Sequence, residues 1–234
     1  SALEVNRKVL PNGLIVLHSE RHNLPLVMVT LLIKAGLLEE PKEGLSNMAA
    51  SLLTEGTKTR TSTEISEEVD FIGAGLGASA DTDYITITLS ALKKDVDKGF
   101  ELFSDVLLNP SFPDAEIERK KTLIKGSLKQ SEEDPSYVAQ KTFNKTVYGE
   151  HPYGRTMRGD EKAIDSMSRD DIEGFYNKYF VPGNSILSVV GDLSAAELDG
   201  LIKKHLGGWK QKETPPKGSY PYPALSLTVI KIDK

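Results

Sequence analysis

The spacing of apolar residues changes along this chain, and that change constrains the fold more than any single motif. Up to about residue 91 apolar residues come mostly in short runs or at alternate positions, as in strands. Residues 5–10 and 14–17 flank Pro11, Asn12 and Gly13, and the Asn–Gly pair supplies the positive-φ turn of a hairpin. Residues 26–33 are almost continuously apolar, the pattern of a strand covered on both faces or nearly so. Residues 76–80 and 84–91 read as paired strands, with Ile85, Ile87 and Leu89 alternating with threonines and Ser90. Two helices interrupt this part, one over residues 44–53 and one opened by Thr61 and Glu64 in a capping-box pattern and running to about residue 72.

Beyond Val96 the period becomes helical. Val96, Phe100, Phe103 and Leu107 form one apolar stripe, and Pro110 and Pro113 end it. Asp114 is predicted to cap a second helix carrying Ile117, Ile124 and Leu128, which Pro135 interrupts before helix resumes to about residue 148. Ser168 or Asp170 opens a helix bearing Ile172, Phe175 and Tyr179. A strand at 185–190 and a helix at 195–206 follow. The predicted class is α+β, a mainly antiparallel sheet packed against helices on one side. Residues 210–223 are polar and hold four of the 12 prolines, as a linker does. The expected domains are therefore 1–212, a linker at 213–223 and the start of a following domain at 224–234, with a strand at 225–232.

Composition excludes several classes of chemistry. The chain has no cysteine, so it forms no disulfide, no thiolate metal site and no cysteine nucleophile. Net charge is −5 with the bases scattered among acids, which offers nothing to a nucleic-acid backbone. No apolar run is long enough for a membrane span. None of this fixes a compartment; in a bacterium it fits cytoplasm or periplasm equally. There is no G-x-S-x-G elbow, Walker loop or dinucleotide fingerprint. The glycines at 73, 75 and 77 lie between helix and strand, the reverse of a phosphate-binding loop, and read as a C-cap and turn. His18 and His22 lie in extended chain, roughly 13 Å apart, too far to share one ion. His205 near a helix C-terminus reads as a cap, and His151 as a loop residue with a structural role.

The order of short motifs resembles that of the pitrilysin/insulinase-type zinc peptidases, which include the mitochondrial-processing-peptidase subunits. The resemblance begins with Leu10, Pro11, Asn12, Gly13 and Leu14, continues through Ala35, Gly36, Glu39 and Glu40, and reaches a segment from Gly44 to Thr57. Further landmarks are Arg60, Thr61 and Ser62; Asn109, Pro110, Ser111 and Phe112; Glu118 and Arg119; Asp134 and Pro135. His151, Pro152, Tyr153 and Gly154, then Tyr179 to Asn184 and Val189 to Asp192, extend it over nearly the whole chain. The family's zinc helix reads G-L-x-H-x-x-E-H-x-L-x-x-G-T. Here the flanks match, but the two histidine positions are Asn47 and Ser51 and the glutamate position is Ala50. The position of the third ligand, a glutamate in the family, is Lys125.

On a helix at 100° per residue, Leu45, Met48, Ala49, Leu52 and Leu53 share one face, and Asn47, Ala50 and Ser51 fall opposite. The packing face is kept while the face that would carry two imidazoles and a general base is stripped. The resemblance therefore implies a non-catalytic homologue without metal or cofactor, not expected to cleave peptides alone. It would bind peptide and complete a chamber with a zinc-bearing peptidase subunit of the same family, or with a second copy of itself. The alternatives are a purely structural subunit, or a hydrolase with a displaced metal site at Glu150, His151 and Tyr153. Tyr153, His151 and Arg155 are the candidate groove residues outside the helix.

Overall fold

A computed structural model describes residues 4–216, 218–220 and 229–231 of the 234-residue chain. Six strands form one sheet in the order β1-β2-β6-β3-β5-β4. They are β1 (Asn6–Val9), β2 (Ile15–Glu20), β3 (Leu26–Ile33), β4 (Gly75–Ala80), β5 (Ile85–Leu92) and β6 (Ser185–Gly191). All neighbours pair antiparallel except β2 and β6, which run parallel. The sheet is thus mixed but mainly antiparallel, as the alternating pattern predicts.

The first hairpin forms as expected: Gly13 takes φ +89° and its amide donates to the Leu10 carbonyl, while Asn12 accepts from the Leu14 amide. The predicted α2 (Ser62–Phe71) opens with the Thr61/Glu64 capping box. It closes on Gly73 at φ +61°, where the Gly73 and Ala74 amides donate back to Asp70 and Val69.

The core lies on one side of the sheet. Val27, Val29, Leu31 and Ile33 of β3 point into it with Ile85, Ile87 and Leu89 of β5 and Leu187 and Val189 of β6. Against this face pack α1 (Leu45–Leu52) and α3 (Val96–Leu108), whose Phe100 and Phe103 are fully buried. Truncating Phe103 to alanine would cost about 3–5 kcal/mol. Gly99 sits where α3 crosses β5: a Cβ there would meet Leu89 and Ala91 at 3.2–3.3 Å.

Two expectations are corrected. The β3 strand is covered on one face only, since Met28 is 56% exposed and Leu26, Thr30 and Leu32 are half-buried. Helices occupy only the opposite side, so the apolar run serves a single buried face. Asp114 is the first residue of α4 (Asp114–Ser131) rather than its cap; Pro113 holds that position and supplies no side-chain hydrogen bond. The interruption expected at Pro135 is present: α4 ends at Ser131, and Pro135 is the first residue of α5 (Pro135–Tyr148), capped by Asp134.

The remaining helices are α6 (Glu161–Ser166), α7 (Arg169–Tyr179) and α8 (Ala195–Leu201). Ser168 caps α7 in a second capping box with Asp171. The short α6 has no apolar stripe to announce it and is nucleated by Asp160, which accepts from the Ala163 amide. After α8 the chain widens into a π turn, Ile202–Leu206. There His205 caps no carbonyl; its Nε2 meets Asp97 of α3 at 2.9 Å. Of the strand predicted at 225–232, residues 229–231 lie in no strand and residues 225–228 and 232 lie outside the described residues.

Candidate functional site

Helix α1 is the natural place to look, because its sequence departs most from what its surroundings imply. Gly44 precedes it at φ +83°, and a Cβ there would strike the Arg158 carbonyl at 2.6 Å. The N-terminal amides are satisfied by the Glu40 carboxylate, which is 3% exposed. Glu40 accepts from the Gly44 amide at 2.9 Å, the Ser46 amide at 2.9 Å and the Ser46 hydroxyl at 2.7 Å. Burial pushes this carboxyl up to about 7, against the pull of the Ser46 and Gly44 hydrogen bonds and the charge of Arg155.

Helix α1 packs against β4, α7 and α4, so most of its circumference is covered. Met48, Ala49 and Leu52 are fully buried, as expected. Ala50 is buried as well, at 1% exposure, which corrects its placement on an open face opposite the core. Asn47 and Ser51 are half-buried, and the Ser51 hydroxyl donates to the Met48 carbonyl at 3.0 Å. No residue of α1 is a histidine, cysteine, aspartate or glutamate.

Lys125, on α4, is turned to a different partner. Its ammonium meets Asp165 of α6 at 2.6 Å, and that hydrogen bond holds its pKa above the ordinary lysine value. A zinc ion needs at least three imidazole, carboxylate or thiolate donors. An amide, a methyl, a hydroxyl and an ion-paired ammonium do not supply them, so these four side chains do not fit a zinc site. Among the described residues no group of three or more His, Cys, Asp and Glu could hold a metal ion.

The histidines are placed by other contacts. His18 lies within β2 and its Nε2 meets the Leu193 carbonyl at 2.8 Å. His22 lies beyond the strand between Asp192 and Glu20, whose hydrogen bonds raise its pKa. His151 is buried, and its Nδ1 accepts from the Tyr153 amide at 3.2 Å. The Tyr153 ring stacks edge-on to it at 4.8 Å, while the Tyr153 hydroxyl donates to Asp83 at 2.6 Å. Glu150 points fully into solvent, so it does not join His151 and Tyr153 in a common cluster. Arg155 donates to the Glu40 carbonyl at 3.0 Å and so ties this loop to the start of α1.

Sequence patterning did not single out Tyr137 and Lys141 of α5, which face this loop across a cleft, or Arg158 on the loop itself. The only signal was local: residues 151–159 match no helix or strand period yet carry two arginines between two glycines. Beside α1 the sheet ends at β4, an edge strand whose Gly75, Gly77, Ala78 and Ser79 present little side-chain bulk.

Comparison with known proteins places these features in context. The sequence matches the insulinase family, peptidase family M16, over residues 15–161, and the M16 peptidase inactive domain over residues 166–233. A Rickettsia felis protein named as an uncharacterized zinc protease is 27% identical over 210 residues, covering 89% of this chain and 51% of that protein. Subunit 1 of the bovine mitochondrial cytochrome b-c1 complex is also 27% identical over 210 residues, covering 89% of this chain and 44% of the subunit. Among solved structures, a peptidase M16 inactive domain from Pseudomonas fluorescens superposes with a TM-score of 0.89 at 24% identity, covering 94% of this chain and 54% of that one. The chain therefore spans about half the length of the relatives it matches.

Proposed function

This chain belongs to peptidase family M16, the insulinase family, and we propose that it is one of the non-cleaving members, acting as a partner that grips peptide for a zinc-bearing subunit. The observation that carries this reading is the donor set on α1 and α4. In this proposal Asn47, Ala50 and Ser51 occupy the zinc-helix positions and Lys125 the position of the third ligand. None of these side chains is a zinc ligand or a general base at neutral pH. The match of residues 166–233 to the inactive domain and the likeness to a respiratory-complex subunit support it.

A peptide-gripping role is supported by what surrounds α1. Strand β4 lies at the sheet edge beside it, so an extended peptide can add as a further strand through main-chain hydrogen bonds. The small side chains of β4 leave room for that approach. The partner is a family member carrying the intact zinc motif, with a second copy of this chain as the other candidate.

A peptidase assay tests the reading: the purified chain alone, then mixed with a co-purifying zinc-bearing subunit. Cleavage that arises or rises only in the mixture supports it. Cleavage by this chain alone, abolished by a chelator, overturns it.

A further inference from the structure

We propose that the cleft between α5 and the loop at residues 153–158 is a binding pocket for the carboxylate side chains of an acidic peptide. Its cavity measures about 380 Å³. Lys141, Arg155 and Arg158 line it, and no aspartate or glutamate does, in a chain whose net charge is −5. The larger neighbouring cavity, about 610 Å³, shares Lys141 with it but is lined by four lysines and four acids and so has no such bias.

The two arginines distinguish this pocket from ordinary surface charge. Both are half-buried. Arg158 donates to the hydroxyls of Ser127 at 2.6 Å and Ser131 at 3.1 Å, and its guanidinium lies 5.6 Å from the Tyr137 ring centroid. Arg155 donates to the backbone carbonyl of Glu40 and lies within electrostatic reach of that residue's buried carboxyl without pairing with it. Neither forms an ion pair among the described residues, nor do Arg7 and Arg21, whereas Arg60, Arg119 and Arg169 each do. Taking a guanidinium partly out of water with no carboxylate paired to it is unfavourable, and the neutral partners of Arg158 offset that only in part. A ligand carboxylate would supply the missing charge, and the planar fork of arginine suits its two oxygens. Lys141 already meets Glu132, so it adds field more than a free partner.

The rest of the wall indicates a peptide rather than a bare ion. Tyr148 and Tyr153, with Tyr137 under Arg158, line the wall with aromatic carbon against which aliphatic side-chain stems can pack. Gln140 and Asn144, joined by a 2.8 Å hydrogen bond, offer amides to a peptide backbone. Asp83, Glu43 and Glu132 border the cleft outside its lining, engaged by the Tyr153 hydroxyl, the Thr156 amide and the Lys141 ammonium. The pocket is separate from the α1 face and stands whether or not the chain assists a catalytic subunit.

Fluorescence anisotropy of the chain alone tests the assignment, with a labelled Gly-Ala-Glu-Glu-Ala-Gly peptide and its Gln-Gln counterpart as probes. The acidic peptide is expected to bind at least about tenfold more tightly, with affinity falling as salt rises. Arg158→Gln removes one fork. Gln140→Glu places a like charge in the wall at an exposed helix position, where both residues favour helix. Each is expected to weaken the acidic peptide by about three- to tenfold while the melting temperature of the Gln140→Glu chain stays near wild type. Equal binding of the two peptides, no binding of the acidic one, or affinity unchanged by Gln140→Glu overturns the proposal. Displacement of the peptide by an equal concentration of inorganic phosphate also overturns it, because the pocket would then be a site for a free anion.

Discussion

Arg60 and Arg158 are both half-buried arginines, yet their surroundings differ in kind. Arg60 meets three carboxylates: Glu68 at 2.9 Å, Asp105 at 2.9 Å, and Glu101. Its charge is so well matched that its pKa is pushed above the ordinary arginine value, chiefly by the hydrogen bond to Glu68. Asp105 in turn accepts from Thr57 and Asn109. Burial pushes its carboxyl up, but hydrogen bonds from Thr57, Asn109, Arg60 and Thr59 together hold it below the usual aspartate value. Arg158 meets two serines and a tyrosine ring. The first arrangement is complete in itself and joins α2, α3 and the loop between α1 and α2. The second is complete only with something added. A charge whose partners are all present holds the fold together; one left without a counter-charge is available to a ligand.

Breaking the complete network should have the largest effect. Asp105→Ala leaves Thr57, Asn109 and part of Arg60 without an acceptor in a buried setting, an expected loss of about 3–4 kcal/mol in urea unfolding. Glu40 belongs to the Arg158 side of the molecule, where it caps α1 and lies near Arg155. Its carboxyl titrates at about 7 in the folded chain, above the ordinary glutamate value of 4.5. Below the unfolded pKa both states hold the proton. As pH rises from there toward 7 the unfolded chain releases it first, so this group's contribution to stability is lost as pH rises through the window. The fall should be at most about 3 kcal/mol, and Glu40→Gln should flatten that slope in unfolding curves taken from pH 4.5 to 7.5.

On that same side of the comparison, Arg158→Gln should cost no more than about 1 kcal/mol of stability, since it gives up only hydrogen bonds to partly exposed hydroxyls. A loss as large as that of Asp105→Ala would mean the two arginines are alike after all. Ser51→Ala should change stability by less than about 0.5 kcal/mol, because its hydroxyl returns only to the Met48 carbonyl of its own helix. A larger loss would show that the α1 face does structural work beyond filling space.

Much of this fold was legible because local rules and tertiary packing agree. The apolar stripes of α3 and α7, the Thr61 and Ser168 caps and the alternation in β5 all appear where their periods place them. The insertion of β6 between β2 and β3 was not legible, since it pairs residues more than 150 positions apart that no local pattern links. The exposed face of β3 was missed for a related reason: an apolar run records hydrophobicity, not how many layers cover it. Ala50 was misplaced because a helical wheel knows the helix but not that β4, α7 and α4 surround it. At the cleft, Tyr153 and Arg155 were nameable from a non-periodic loop. Tyr137 and Lys141 were not, because only the packing of α5 over that loop brings them to it, and Arg158, though on the loop, falls outside its motif.

The account rests on the chemistry of one helix face, and a zinc-binding measurement tests it most directly. The purified chain is equilibrated with zinc, passed through a desalting column and assayed for retained metal against a competing chelator. The account predicts that no stoichiometric zinc stays with the protein, because Asn47, Ala50, Ser51 and Lys125 offer no ligand set. One tightly held zinc per chain, with peptide cleavage that the chelator abolishes, would contradict it.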